Sequence, residues 1–225
     1  MLALASPAAA QDLGGALDLG QLGADIGVNN AIRANVARSR PATRPVRIVP
    51  GTETQLSFRP SLEQRRKNLA QFVARSRARD AEGAARMEAL FASGDVIGRI
   101  NGQLGTYGFR TNHVADAYAA WWINAWLASR GRTDDPTRAQ IDAVRAQAAD
   151  AMRALPQLAR ASDATKQEMA EAYLVQTALI GSALDAANGN PERMRQVAAA
   201  VRQAARAAGL DLAAMNLTDR GFVPR

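Results

Sequence analysis

The sequence predicts an all-α fold, a single orthogonal or bundle-like domain of about seven helices around a central tryptophan-rich helix, preceded by a flexible basic N-terminal arm. Three observations lead to this prediction. Alanine, the residue with the highest helix propensity, supplies 50 of the 225 residues. Apolar side chains recur at helical spacing through most of the chain after Ser57. All three tryptophans lie within residues 121–126, in a segment that is apolar on nearly every side.

The segment 111–130, TNHVADAYAAWWINAWLASR, is the expected centre of the fold. Drawn as a helix, it is apolar almost all round, so neighbouring elements have to cover it on almost all sides. We therefore interpret Trp121, Trp122 and Trp126 as core residues. The alternative is a carbohydrate platform formed by Tyr118, Trp121, Trp122 and Trp126, because an aromatic face combines a large apolar area with a polar edge. Trp122 and Trp126 are its candidate binding residues. The polar side chains of the segment form a narrow wedge of His113, Asp116 and Asn124.

The first ten residues, MLALASPAAA, look like the end of a signal peptide. Ala8, Ala9 and Ala10 match the small residues of a signal-peptidase site, so we expect residues 1–10 to be a signal-peptide remnant with cleavage before Gln11. The alternative is that the segment is only an apolar, disordered tail. The alanine pattern favours export, and the expected location is periplasmic or secreted. No later stretch reaches the roughly 18 uninterrupted apolar residues of a transmembrane helix. Because cysteine is absent, disulfides and thiolate metal sites are excluded.

Residues 11–56 are predicted to be a flexible basic arm or linker. Repeated glycines and the prolines at 41 and 45 interrupt any helical period, although 46–49 and 54–58 suit a short hairpin across Pro50 and Gly51. Residues 33–79 hold twelve basic and two acidic side chains, a net charge of +10, whereas residues 80–225 are neutral overall.

This charge makes the arm a candidate anion-binding element, which would hold an anionic surface or an acidic envelope protein. The arginines that would carry the binding are Arg38, Arg40, Arg44 and Arg47. The alternative is a solvated linker without a partner. No aromatic residue is interleaved with these arginines to stack on bases, so we do not expect nucleic acid as a partner.

Residues 57–225 form the predicted helical domain, and its helix boundaries follow from capping residues and helix breakers. Ser61 (in a capping box with Gln64), Asp80, Asp95 and Ser162 begin four helices, and Asp135 with Pro136 begins another. The predicted helices are 62–77, 81–92, 96–104, 111–130, 136–155, 163–187 and 192–208. Asp211 caps one further turn at 212–215, and the tail is expected to lay Leu217, Phe222 and Val223 on the body.

Four segments of this domain carry a resemblance. They are FASGDVIGRI at 91–100, VADAYAAWWINAW at 114–126, GRTDD at 131–135 and GLDLAAMNLTDRGFVP at 209–224. In these segments the chain resembles a bacterial family of exported, predominantly helical proteins that has no assigned function. The resemblance extends over residues 57–224. It implies export and one helical domain, and it implies no activity, substrate or site residue.

Two groups of side chains are candidates for catalysis. His113 and Asp116 stand three residues apart, close enough for the carboxylate to orient the imidazole, although such a pair is more often a structural feature of the first helical turn. Glu168 and Glu171 suggest the paired acids of glycoside hydrolysis, although neighbouring acids on one helix face are usually solvated. Asn124 lies deeper in its helix and is expected either to bond a neighbouring helix or to bind a ligand.

Two functions from different classes remain. The favoured one is a non-enzymatic helical interaction module of the cell envelope, which binds anions through its basic arm and offers a groove to a protein or peptide. The alternative is an envelope hydrolase of a peptidoglycan-type glycan, with Asp116 or the two glutamates as acids and the tryptophans as a sugar platform. With one histidine and no cysteine, we expect no metal site and no cofactor.

Overall fold

The computed structural model describes residues 27–39, 55–78 and 80–225. Within these residues the predicted all-α class is confirmed, with nine α-helices and one two-stranded sheet. The helices are α1 (Val28–Arg38), α2 (Leu62–Arg77), α3 (Ala81–Ala92), α4 (Val96–Thr106), α5 (Val114–Ala128), α6 (Arg138–Arg153), α7 (Pro156–Ala159), α8 (Asp163–Ala187) and α9 (Pro191–Ala207). A 3₁₀ turn, Leu212–Ala214, capped by Asp211 as predicted, leads into strands β1 (Met215–Thr218) and β2 (Gly221–Pro224).

Helix α5 is the centre of the core, as predicted. Every residue of α5 except Asn124 is buried, and each of the three tryptophans is at most 4% exposed. The helix packs against α8, α6 and α9. Because a buried aromatic side chain removes roughly 150–250 Å² from water, each of these indoles contributes to the hydrophobic stabilisation of the fold.

Local capping sets the helix boundaries, and most of them agree with the sequence. The side chains of Ser61, Asp80, Asp95 and Ser162 each accept a hydrogen bond from the backbone N–H three residues later. These bonds satisfy donors that the start of a helix otherwise leaves unpaired. At Ser61 only this half of the predicted capping box forms, because the backbone N–H of Ser61 donates to Oε1 of Gln167 and not to Gln64.

Two helices begin later than predicted. Helix α5 begins at Val114 and not at 111, because the imidazole of His113 occupies the N-cap position. Helix α6 begins at Arg138 and not at 136, because Thr137 and Gln140 form a reciprocal capping box. In both cases the residue that satisfies the first free N–H groups decides where the helix starts.

Helix α1 lies within the segment predicted to be a flexible arm, and for residues 28–38 that prediction was wrong. Val28, Ile32 and Val36 recur at helical spacing and are buried, in a helix that packs against α6 and β2. The side-chain amide of Asn29 donates to the carbonyl of Ala208 at 2.7 Å. Contacts with residues distant in the sequence therefore stabilise an 11-residue helix that would be marginal on its own.

Much of the predicted arm lies outside the described residues. This holds for residues 1–26, with the predicted signal peptide, and for residues 40–54, with the first strand of the predicted hairpin. The second predicted strand is packed on the body: Leu56 and Phe58 are buried, and Ser57 pairs with His113 in an antiparallel bridge.

The C-terminal tail forms a β-hairpin that was not predicted. Strands β1 and β2 pair antiparallel, with Met215 opposite Pro224 and Thr218 opposite Gly221. The expected contact of the tail with the body is confirmed, because Phe222 is buried and Leu217 packs against the core. Among the described residues, no helix has both the length and the apolar character needed to cross a lipid bilayer.

Candidate functional site

Asp116, a predicted catalytic candidate, is held by three neighbouring side chains. It is 1% exposed. Its Oδ2 accepts hydrogen bonds from Nε of Arg110 at 2.9 Å, from the backbone N–H of Arg110 at 3.0 Å and from Nη2 of Arg145 at 2.8 Å. The Nδ1 atom of His113 lies 3.2 Å from Oδ1. The structure therefore brings His113 and Asp116 together, but as part of a buried ionic network.

This network fixes the charge of Asp116. Burial acts to raise the pKa of the carboxyl group, but hydrogen bonds from His113, Arg110 and Arg145 outweigh burial and hold the pKa of Asp116 well below its ordinary value. A general acid has to carry a proton that it can donate to the substrate. Asp116 is anionic and its oxygens face these three side chains, which is the arrangement of a structural ion pair.

His113 is also enclosed, at 1% exposure. Its Nδ1 lies 3.3 Å from the backbone nitrogen of Asp116, so it accepts from that N–H when unprotonated and donates to the Asp116 carboxylate when protonated. The Nε2 atom is buried and has no hydrogen-bond partner within the described part of the chain. The imidazole therefore caps α5 and has no side open to a substrate.

Glu171 has a similar structural environment. It is 2% exposed, and Nε of Arg65 and Nε2 of Gln167 donate to its Oε1 at 3.0 Å and 2.9 Å. Nδ2 of Asn68 donates to Oε2 at 2.7 Å. Both oxygens are thus engaged in joining α8 to α2, and neither is left to attack a substrate.

Glu168 lies beside Glu171, as the spacing predicts, and pairs with Arg75 at 3.4 Å. The two glutamates border a small cavity between α2 and α8, with an accessible volume of about 10 Å³. The residues that line this cavity include neither Asp116 nor a tryptophan. The structure therefore does not assemble the acids and indoles of the hypothetical glycan site in one place.

Trp122 and Trp126 have no open face. The ring of Trp122 stacks on Phe222 with centroids 4.2 Å apart, and Nε1 of Trp126 donates to the carbonyl of Met215 at 2.9 Å. The guanidinium group of Arg130 lies 4.2 Å from the centre of the Trp126 ring. The interpretation of the tryptophans as core residues is confirmed, and a sugar cannot reach them in this structure.

Asn124 bonds a neighbouring helix, one of the two roles expected for it. Its Nδ2 donates to the carbonyl of Thr177 in α8 at 2.8 Å. This amide also borders an open pocket with a small accessible volume of about 60 Å³.

The pocket has an apolar floor and a polar rim. Its floor comes from α4, the α4–α5 loop, α5, α6 and α8. The floor residues are Leu104, Phe109, Ala120, Ile123, Leu127, Ile141 and Leu184. The rim consists of Tyr107 and the polar residues 132–135, RTDD, of the α5–α6 loop.

The charged groups of the rim are bonded within the protein. Nε of Arg132 donates to Asp134 at 2.8 Å, and this hydrogen bond lowers the pKa of Asp134. The hydroxyl of Tyr107 donates to Asp135 at 3.1 Å. Of the pocket residues, only Asn124 was among the predicted site residues. The others come from separate segments that no local motif relates to one another.

Of the four arginines predicted to bind anions, the structure describes only Arg38. Arg38 is exposed in the last turn of α1, whereas Arg40, Arg44 and Arg47 lie outside the described residues. Among the described residues, no group of three or more His, Asp and Glu side chains is arranged to hold a metal ion.

Comparison with known proteins identifies a family for the chain but indicates no activity. No curated protein and no solved structure matches the chain. The model of one family, described as "Family of unknown function (DUF6683)", matches residues 1–225. Since this match covers the whole chain, the protein belongs to the DUF6683 family, whose function is unknown.

Proposed function

We propose that the protein is a non-enzymatic binding module whose pocket beside Asn124 holds an apolar side chain of a protein or peptide partner. The supporting observation is the contrast between the apolar floor of the pocket and its polar, internally bonded rim. Full burial of one apolar side chain contributes roughly 1.5–3 kcal/mol. A pocket of this kind provides the well-packed, desolvated site in which a binding hot spot forms.

The rim favours a peptide segment that is close to neutral. It carries one cation, Arg132, and two acids, Asp134 and Asp135, so it has little net charge to attract a strongly charged partner. The hydroxyl of Thr133 and the carboxylate of Asp134 are exposed and can pair with the backbone amides on either side of the apolar side chain. Burial thus supplies the affinity, and the rim orients the segment.

The state of the acids supports binding over catalysis. Asp116 accepts from two arginines, and both oxygens of Glu171 accept from side chains of α2 and α8. An acid and a base with perturbed pKa values facing a common cleft are the usual signs of an enzyme. Here the buried acids face cations and amides, and neither Asp116 nor Glu171 lines the pocket beside Asn124.

The pocket is tested with selected peptides and one pair of matched variants. Peptides are selected from a random phage-displayed library against the wild-type protein, and their affinities are measured for Thr133→Trp and Ala139→Trp. Both positions are exposed, but only Thr133 lines the pocket. We expect selected peptides to share an apolar residue and to lose at least about tenfold in affinity for Thr133→Trp, whereas Ala139→Trp binds them normally.

Two results would contradict the proposal. Selected peptides that bind both tryptophan variants equally would show that the pocket does not hold the partner. Release of soluble fragments from purified peptidoglycan by the wild-type protein would show that the protein is a hydrolase.

We also propose that the protein acts in the bacterial envelope or outside the cell and that its basic arm contacts an anionic surface or an acidic partner. The N-terminal sequence and the charge of residues 33–79 support this location and role. Deletion of residues 11–56 is an unsuitable test because it removes α1 and the buried Leu56.

A better test of the arm changes charge alone. Arg40, Arg44 and Arg47 are replaced together by glutamine, and retention on immobilised heparin is compared with that of a control in which the exposed Arg193, Arg195 and Arg220 are replaced. We expect only the arm variant to elute at clearly lower salt, because screening weakens each surface contact. Elution of the two variants at the same salt concentration would show that the arm does not bind the anionic matrix.

A further inference from the structure

The C-terminal end of α5 is surrounded by guanidinium groups. The Cζ atoms of Arg130 and Arg132 lie 4.2 Å and 5.4 Å from the centre of the same ring, that of Trp126. Nη1 of Arg202, from α9, donates to the carbonyl of Ser129 at 2.6 Å. Cations from two parts of the chain therefore meet at one helical turn.

A fourth arginine adjoins this group. The backbone N–H of Arg225 donates to the carbonyl of Ala214, and Nη2 of Arg130 donates to the next carbonyl along the chain, that of Met215, at 2.8 Å. Burial lowers the pKa of Arg130, and repulsion from Arg225, Arg132 and Arg202 lowers it further. The four charges are thus close enough to repel one another.

Acidic side chains do not balance this charge. Arg132 pairs with Asp134, whereas in the described part of the chain Arg130, Arg202 and Arg225 have no carboxylate partner. The guanidinium group of Arg130 donates to the Ser129 hydroxyl and to two backbone carbonyls. Four arginines, Asp134 and the terminal carboxylate of Arg225 together leave a surplus of two positive charges.

Capping of the helix end explains only part of the cluster. Cations stabilise the last carbonyls of a helix, but the charge at that end is equivalent to only about −0.5. One arginine would satisfy it. A guanidinium group has five N–H donors, and Arg202 uses only one nitrogen in its bond to Ser129. The cluster therefore retains donors and charge beyond those needed to stabilise α5.

We propose that Arg130, Arg132, Arg202 and Arg225 form a binding site for a phosphate group. The planar fork of arginine matches the oxygens of phosphate, and a doubly charged phosphate offsets the surplus charge of this cluster. A carboxylate, with one charge and two oxygens, would leave much of the surplus unpaired. The site is separate from the proposed peptide pocket, with which it shares only Arg132.

The first test is a calorimetric titration with inorganic phosphate at constant ionic strength, with chloride as the competing anion. Arg225→Gln removes one cation whose side chain makes no hydrogen bond to any of the described residues, so we expect the variant to keep its fold. Arg202→Gln removes a second cation. Arg206→Gln is the matched control, because Arg206 lies one turn further along α9 and faces Asp211 at 3.8 Å. We expect the first two variants to bind at least about tenfold more weakly and the control to bind as the wild type does.

A second test distinguishes a soluble phosphate ligand from a lipid headgroup. It measures co-sedimentation of the protein with vesicles of phosphatidic acid in phosphatidylcholine. Binding of soluble phosphate alone assigns the site to a soluble phosphate ester, and vesicle binding that Arg225→Gln abolishes assigns it to a lipid headgroup. Absence of saturable binding in both experiments, or equal loss in Arg206→Gln, would overturn the proposal.

Discussion

The indole of Trp122 stacks on the ring of Phe222, with centroids 4.2 Å apart and planes inclined by 25°. The same phenyl ring meets Trp126 edge-on at 5.9 Å. One residue near the end of the chain therefore covers two of the three tryptophans of the central helix. The hairpin of β1 and β2, although short, is a part of the core.

Replacement of Phe222 by alanine should destabilise the whole domain. We expect the free energy of unfolding, measured by urea denaturation, to fall by about 3–5 kcal/mol, because the change removes a buried ring and leaves a cavity against two indoles. Val223→Ala is the control, because Val223 is the next residue of β2 and is only partly buried. Its expected loss is about 1 kcal/mol. Equal losses in the two variants would show that the stack does not secure the hairpin.

Gly221 is the second position that secures the hairpin. Its φ is 90°, and an added Cβ would overlap the side-chain amide of Gln147. That amide binds both backbone groups of Phe222, accepting from its N–H at 2.6 Å and donating to its carbonyl at 2.8 Å.

Gly221→Ala should therefore lower the free energy of unfolding by about 2–3 kcal/mol, from backbone strain and weakened hydrogen bonds together. Gly209→Ala isolates the strain, because Gly209 has a φ of 78° and open space around its Cβ position. We expect it to lose about 1 kcal/mol in the same denaturation experiment. A loss at Gly221 no larger than that at Gly209 would contradict the role assigned to Gln147.

Local sequence was sufficient to predict most helices of the helical domain, although not the short helix α7. Ser61, Asp80, Asp95 and Ser162 satisfy N–H groups only three residues away, so their effect can be recognised without knowledge of the fold. Helix α1 and the hairpin could not be predicted in this way. Asn29 bonds Ala208, 179 residues away, and Phe222 bonds Gln147, 75 residues away.

The same distinction applies to the candidate site. Asn124 was recognised because a polar side chain inside an apolar helix needs a partner. Arg132 and Thr133 are ordinary loop residues in the sequence, and only the packing of α4, α5, α6 and α8 places an apolar floor beside them. The pocket is a product of tertiary structure, and no single segment encodes it.

The docking of α1 can be tested at Asn29. Its side chain accepts from the hydroxyl of Tyr118 at 2.9 Å and donates to Ala208, so Asn29→Leu leaves two buried polar groups without a partner. We expect a loss of about 1–3 kcal/mol in the free energy of unfolding and faster hydrogen exchange in residues 28–38. Asn30→Leu, at the exposed neighbouring position, should alter neither quantity by much. Unchanged exchange in Asn29→Leu would show that these bonds do not hold α1 in place.

The last prediction concerns the dependence of stability on pH. The pKa of Asp116 is lowered from an ordinary value of 3.8. The ionised form of Asp116 is therefore more stable, relative to the protonated form, in the folded protein than in the unfolded chain. This stabilisation is complete at pH values well above 3.8, the ordinary pKa. It is lost as the pH falls through the lowered pKa of the folded state. Asp116→Asn cannot make this contribution at any pH.

Wild-type protein and Asp116→Asn should therefore differ by about 2–3 kcal/mol in the free energy of unfolding at pH 7, because Arg145 and Arg110 lose their shared anion. The difference should shrink as the pH is lowered below about 4. Asp142→Asn is the control, because Asp142 pairs with Arg145 and Arg138 at the surface, and its expected effect is below about 1 kcal/mol. If urea denaturation showed the same difference in stability between the two proteins at pH 7 and at pH 3, the charge of Asp116 would not be what joins α5 to α6.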